Sequence, residues 1–222
     1  MLKALLFDLD GTLADTNSVH RLAWMERLRP HGYDVTWDFY RENITGRVST
    51  EVVTDLLPDL SPEEIQEIAE AKEASFREQA GALEPLPGLL DLVEKGRKKG
   101  MRISLVTNAP KENVFTVLRV LGLDDAFEPV ILADEVGAGK PDPAPYNAAL
   151  EALGVSADEA VAFEDSPSGI ASSVAAGIPT VGIASTLDPA NLEELGVELV
   201  ARDFSDPKLI ALVEDRQEGV RY

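Results

Sequence analysis

An α/β fold interrupted by a helical insertion is what this sequence predicts, and three observations carry it. Short apolar runs recur along the chain, helical patterns separate them, and residues 17–82 break the alternation with helical spacing alone. Strands alternating with helices lead to a parallel sheet covered on both faces. The expected division is a core of residues 1–16 and 83–222, with 17–82 as an inserted helical unit. A length of 222 residues suits one domain carrying one sizeable insertion.

The first strand is expected at residues 3–9, where Ala4, Leu5, Leu6 and Phe7 form an apolar run that ends in polar residues. The insertion follows. Val19, Leu22, Ala23, Met25 and Glu26 begin one helical pattern. Ser61-Pro62-Glu63-Glu64 begins another, with Ser as N-cap, Pro at the first helical position and Glu three residues after Ser. Ile65, Ile68, Ala69, Lys72 and Phe76 keep its spacing, and Lys72 falls on a charged face where solvation is the expectation. Pro85-Leu86-Pro87-Gly88 reads as the return hinge. Further strands are expected at 102–107, 129–132, 160–164 and 179–184, with a short one at 198–200. Helices are expected near 88–99, 111–121, 143–153, 168–176 and 207–215.

Composition narrows the function. Hydrophobic residues make up 45% and charged residues 27%, an ordinary globular balance. Twenty Lys and Arg against forty Asp and Glu leave a net charge of −20, which argues against a nucleic-acid partner. Cysteine is absent, so disulfides, a Cys nucleophile and thiolate-held metals are excluded, and two histidines are too few for a His-rich zinc site. No apolar run approaches the roughly 20 residues that span a bilayer. The opening run meets Asp8 too early for a signal peptide, so a cytoplasmic, membrane-free protein is expected.

The chemistry collects at strand ends. Asp8 and Asp10 are two apart on the first strand and therefore point to one side, at the carboxyl end where open α/β sheets bind ligands. Two such carboxylates repel each other and are costly to bury, and a hard divalent cation relieves both problems. A surface pair entering an Asp-Gly turn is the competing interpretation. Thr107 and Asn108 end the second strand before Pro110 opens a helix, a setting for a phosphate cradle or for a simple helix cap. Lys140 stands in a loop stiffened by Gly137, Gly139 and Pro141, placed to deliver a point charge, although an isolated lysine is usually solvated. Glu164 and Asp165 end a later strand and again suit a hard metal, with helix capping by Asp165 as the alternative.

In their order along the chain these residues resemble a known family. Phe7-Asp8-Leu9-Asp10-Gly11-Thr12-Leu13 with Asp15-Thr16, then Thr107-Asn108, Lys140-Pro141 and Glu164-Asp165, resemble the four motifs of the haloacid dehalogenase superfamily. The helices between the first two motifs resemble its C1 cap, in the phosphoglycolate-phosphatase and β-phosphoglucomutase branches. The resemblance implies a Rossmann-like core with a helical cap, and Mg²⁺-dependent phosphoryl transfer through an aspartyl-phosphate. Asp8 would be nucleophile and Mg²⁺ ligand. Asp10 would bind metal through its main-chain carbonyl and serve as general acid, then base. Glu164 and Asp165 would complete the metal site, while Thr107, Asn108 and Lys140 would hold phosphate oxygens.

The same resemblance bears on which phosphoryl chemistry is expected. Dehalogenases lack the second acid of the first motif, and this chain keeps Asp10. Mutases of the β-phosphoglucomutase type carry a cap arginine three residues after a loop glycine. Here Arg47 follows Gly46 immediately and Ser49 takes the expected place, a departure that favours a phosphatase. His20 and Lys72 match hinge and cap positions of that branch, so His20, Gly46, Arg47 and Lys72 are the cap candidates for substrate contact. Phospho-accepting signalling domains are a remote alternative, because their paired acids are consecutive on the first strand and the acceptor comes later. The expected enzyme is a Mg²⁺-dependent phosphatase of a small phosphorylated metabolite, with a phosphosugar mutase as the alternative and the oligomeric state open.

Overall fold

The computed structural model describes residues 1–219. β1 (Ala4–Phe7) is followed by four helices with no strand among them: α1 (Thr16–Leu28), α2 (Trp37–Asn43), α3 (Ser49–Leu56) and α4 (Pro62–Gln79). Alternation then resumes with α5 (Leu89–Lys98), β2 (Arg102–Thr107), α6 (Lys111–Val120), β3 (Val130–Leu132), α7 (Ala133–Val136) and α8 (Ala144–Leu153). The chain continues through β4 (Ala160–Glu164), α9 (Pro167–Ala175), β5 (Thr180–Ile183), α10 (Pro189–Glu193), β6 (Leu199–Ala201) and α11 (Pro207–Glu218). α7 and α10 were not anticipated from the sequence, since four and five residues are too few to show helical periodicity.

The six strands form one sheet in the order β3-β2-β1-β4-β5-β6, with every pairing parallel. The chain winds outward from β1 through β2 to β3, then returns to the other side of β1 and winds outward again. The strand order therefore reverses between β1 and β4, and a crevice opens there at the carboxyl ends. The central strands are closed off on both faces. Leu5, Phe7, Val161 and Phe163 pack into one apolar cluster, and Ala4, Leu6, Ala160 and Ala162 into a second on the opposite face. Phe7 stacks on Phe163 at 4.7 Å, directly beneath the crevice.

The inserted helices bury a core of their own, built on Trp24, Leu28, Tyr40, Ile44, Val52 and Val53. In α1 the buried face holds Ala23, Trp24 and Leu28, whereas Leu22, assigned to the apolar pattern by sequence, is 45% exposed. The capping box of α4 forms as expected, Ser61 Oγ accepting from Glu64 N and Glu64 Oε2 from Ser61 N. The outgoing and returning chains lie side by side, for Ala14 bridges Pro85 and Leu86 N donates to Leu13 O at 2.8 Å. Gly88 then turns with φ +80°, where a Cβ would lie 2.5 Å from the Phe204 backbone. No helix among the described residues is long and apolar enough to cross a membrane.

Candidate active site

Asp8 extends the β1 ladder by one residue, its N–H donating to Phe163 O at 3.0 Å, and its carboxylate enters the crevice almost fully buried. Gly11 (φ +76°) turns the chain back, with its N–H donating to Ala14 O and Thr16 Oγ1. That turn leaves Asp10 at the mouth of a cavity of about 630 Å³ between the sheet's carboxyl edge and the inserted helices. The cavity brings together Asp8, Asp10, Thr107, Asn108, Lys140 and Asp165 from the sheet, and His20, Gly46, Arg47 and Lys72 from the insertion.

Lys140 is the electrostatic centre. Its ammonium donates to Asp8 Oδ1 at 2.5 Å, Glu164 Oε1 at 2.6 Å and Val106 O at 2.8 Å, which uses all three of its protons. The solvated surface lysine is thus replaced by a buried one. Asn108 fixes the Lys140 backbone from both sides, accepting from its N–H at 2.9 Å and donating to its carbonyl at 3.2 Å. Thr107 Oγ1 accepts from Ala109 N at 2.9 Å, which tightens the same strand end. Neither residue caps α6, whose N-terminus has no side-chain cap. Ser166, and not Asp165, caps α9 by accepting from Gly169 N.

Asp8 and Glu164 share this one cation, and the buried Asp165 stands beside them without it. Burial raises the Asp8 carboxyl to about 7 despite the opposing charge of Lys140, with Glu164 and Asp10 adding repulsion. Burial, then the charge of Asp8, pushes Asp165 well above the ordinary carboxylate range. Lys140 is held above its usual value because Asp8 and Glu164 outweigh its desolvation. Asp10 behaves oppositely: burial pushes it up, but His20, Thr16 and Lys72 prevail and hold it low. The two acids of the first motif are therefore separated in proton affinity by their surroundings.

The donor set fits a hard divalent cation. Asp8, Glu164 and Asp165 each bring a carboxylate oxygen within 4.8 Å of the others, and the side chain of Asp10 lies outside that group. Glu164 Oε2 is buried with no hydrogen-bond partner. Room for it exists because residue 169 is glycine, whose added Cβ would lie 1.8 Å from that oxygen. Clustered carboxylate oxygens with too little positive charge are the ligands that Mg²⁺ takes.

On the insertion side, Lys72 is 4% exposed, so the solvated helix face expected from the sequence is overturned. It donates to His20 Nδ1 at 2.9 Å and Glu73 Oε1 at 2.9 Å, and His20 Nε2 lies 3.1 Å from Asp10 Oδ1. An ammonium has no lone pair, so His20 Nδ1 must accept and Nε2 carries the proton directed at Asp10. His20 is held in place by stacking on Phe76 at 3.9 Å. Arg47 lines the cavity, but its guanidinium donates to Asp55 and to Asn43 O. Gly46 takes φ +74° and approaches Ser168.

Sequence reasoning missed Tyr146, Glu73 and Asn113. Tyr146 donates to Glu164 Oε1 at 2.6 Å from a helix face that reads as ordinary packing. Glu73 and Asn113 meet across 40 residues of chain, and no local pattern marks either.

The chain and its fold have counterparts among known proteins. Residues 5–183 match the family described as haloacid dehalogenase-like hydrolase. Validoxylamine A 7'-phosphate phosphatase of Streptomyces hygroscopicus subsp. limoneus is 34% identical over 202 residues, covering 90% of this chain and 93% of that protein. The structure of CbbY from Rhodobacter sphaeroides in complex with phosphate superposes with a TM-score of 0.82 at 30% identity, covering 93% of this chain and 96% of that one. β-Phosphoglucomutase from Clostridium difficile superposes with a TM-score of 0.86 at 25% identity, covering 99% of each chain.

Proposed function

The chain belongs to the haloacid dehalogenase-like hydrolases as a phosphoric monoester hydrolase, and from that premise we propose a Mg²⁺-dependent phosphatase of small phosphorylated metabolites that works through an aspartyl-phosphate. The observation that carries this reading is the placement of Asp8. It is a buried carboxylate at the sheet's reversal point, gripped by Lys140 and grouped with Glu164 and Asp165. Asp8, Glu164 and Asp165, with the Asp10 carbonyl, would hold the cation, which screens the charge repulsion between a carboxylate and a phosphate dianion.

In the first half-reaction an Asp8 oxygen bonds to phosphorus as the bond to the leaving oxygen breaks, and Asp10 supplies the proton which that oxygen needs. In the second, water attacks the phosphorus, Asp10 takes its proton, and the Asp8–phosphorus bond breaks to release phosphate. In this arrangement Asp10 is held ionised, with a free carboxylate to accept in the second step, and His20 Nε2–H restrains it. Lys140, Thr107 and Asn108 neutralise and orient the remaining oxygens, where electrostatic positioning does most of the work. The inserted helices close over the cavity, which limits access to small molecules and excludes water. The relative named as a validoxylamine A 7'-phosphate phosphatase supports a small phosphorylated metabolite as substrate. A cysteine-free sequence is compatible with the reducing cytoplasm.

A phosphosugar mutase is the second reading, favoured by the superposition on β-phosphoglucomutase. It would need a cap cation for a second phosphate, and the guanidinium of Arg47 is already held by Asp55. The deciding experiment incubates the protein with Mg²⁺ and a panel of phosphorylated sugars and acids, including β-glucose 1-phosphate. Release of free phosphate, abolished by EDTA, is expected. Conversion to glucose 6-phosphate without phosphate release would make the enzyme a mutase.

A further inference from the structure

The loop after β5 reaches across the sheet's carboxyl edge and fastens onto the proposed cation site from outside. The Ser185 hydroxyl donates to Gly11 O, and the Thr186 hydroxyl donates to Asp165 Oδ2. Thr186 Oγ1 in turn accepts from Asn17 Nδ2 at 2.8 Å, and Asn17 Oδ1 accepts from the Tyr40 hydroxyl at 3.0 Å. Tyr40 is 3% exposed and belongs to α2, inside the core of the insertion.

The direction of each bond is fixed by the one before it. The Tyr40 hydroxyl gives its single proton to Asn17 Oδ1, so the amide nitrogen of Asn17 must face Thr186. That nitrogen occupies a lone pair of Thr186 Oγ1, which leaves the threonine proton for Asp165. One oxygen of Asp165 is thereby satisfied and its carboxylate plane is set, so the other oxygen is the one a cation would take. Gly11 makes the arrangement possible, because a Cβ there would lie 2.0 Å from Asp165 Oδ2 and 2.8 Å from Asn17 Nδ2.

We propose that Thr186 and Asn17, backed by Tyr40, are positioning residues that present Asp165 to the divalent cation, so that the seating of the inserted helices sets metal affinity. The proposal rests on the reading that Asp165 is a cation ligand. Outer partners that orient a ligand commonly change affinity about tenfold or more when removed. Coupling between insertion and cation is reciprocal, so a substrate that seats the helices would also tighten the cation.

The test is calorimetric titration of metal-stripped protein with Mg²⁺ alone, for the parent and for Thr186→Val, Thr186→Ser and Tyr40→Phe. Thr186→Val is expected to raise the Kd about tenfold or more, and Thr186→Ser to stay within about threefold of the parent. Tyr40→Phe, which keeps the ring but loses the hydroxyl, should raise it several-fold. With saturating Mg²⁺, Thr186→Val should recover the parental KM for a phosphate ester, which a general loosening of the fold would not allow. Unchanged Mg²⁺ affinity in Thr186→Val overturns the proposal, and unchanged affinity in Tyr40→Phe alone removes Tyr40 and α2 from it. A parent that takes up no Mg²⁺ overturns the cofactor reading together with this one. Weakened Mg²⁺ binding in a protein that hydrolyses no phosphate ester would uphold the relay and sink the phosphatase.

Discussion

Asn113 Nδ2 on the core helix α6 meets Glu73 Oε2 on the inserted helix α4 at 2.6 Å. The other face of the Asn113 amide accepts from Arg77 Nη1 at 3.0 Å, so α4 grips it from both sides. Glu73 Oε1 accepts from Ser49 at 2.5 Å and from Lys72 at 2.9 Å. Through Lys72 and His20 the contact continues to Asp10, and the seat of the insertion on the core is joined to the proposed acid–base group by an unbroken series of hydrogen bonds.

Asn113→Asp would set two carboxylates against each other in this nearly buried place. It should cost about 1–3 kcal/mol, more than Asn113→Ala, which removes one of the donors to Glu73 and the acceptor of Arg77. Urea midpoints at unchanged slope would rank the two variants. Asn113→Asp as stable as the parent would mean that this contact does not hold the insertion in place.

Asp8→Asn tests the nucleophile. Lys140 keeps Glu164 as a partner, so the fold should survive while turnover falls by about three orders of magnitude or more. Circular dichroism and phosphate release measured on the same preparation separate the two effects. Near-normal turnover would transfer the role to another group.

Lys140→Met removes the one cation shared by Asp8 and Glu164. Without metal the variant should lose about 3–5 kcal/mol, since two buried carboxylates are left uncompensated. Added Mg²⁺ should restore part of that loss, because it would supply charge to the same oxygens. A thermal midpoint that ignores Mg²⁺ in this variant would count against the cation site.

Glu73 predicts a pH dependence. Burial pushes its carboxyl up, but the charge of Lys72, the neighbouring His20 and the Ser49 hydrogen bond prevail and hold it below the ordinary 4.5. A depressed carboxylate contributes stability that is full above its unfolded value and fades as pH falls through the folded one. Around it stand Lys72, His20 and Ser49 from the insertion, with Asn113 at its other oxygen and Arg77 bonded in turn to Asn113. The midpoint gap between the parent and Glu73→Gln should therefore be wide at pH 7 and narrow well below pH 4.5. A gap independent of pH would show that Glu73 acts by shape and not by charge.

The strands and the insertion were legible because each leaves a local trace. An apolar run ending in Asp8, or a Ser61 cap three residues before Glu64, is contained within a few positions. Lys72 shows where that stops. Its helix carries Glu63, Glu64, Glu67, Glu70 and Glu73, so the face reads as solvated, yet His20 and the ring of Trp24, at 5.3 Å, enclose it. Tyr146, Asn113 and Thr186 act through partners that only the completed sheet brings close, and a hydroxyl or an amide on an ordinary helix or loop announces none of this. Arg47 illustrates the converse: the loop was identified from the motif, but the direction of its guanidinium is decided by Asp55, eight residues on.

The chain leaves the sheet at Ala14 and rejoins it beside the same residue at Pro85, so the sheet meets the insertion at a single doorway. The entropy lost in closing an excursion grows only logarithmically with its length, about 0.6 kcal/mol for each doubling. To the strands, then, the length of what lies between those two residues costs little in chain entropy. Closure alone thus sets little limit on the length of the excursion, whereas its content is tied to the strand ends, through His20 and Lys72 to Asp10 and through Asn17 and Thr186 to Asp165.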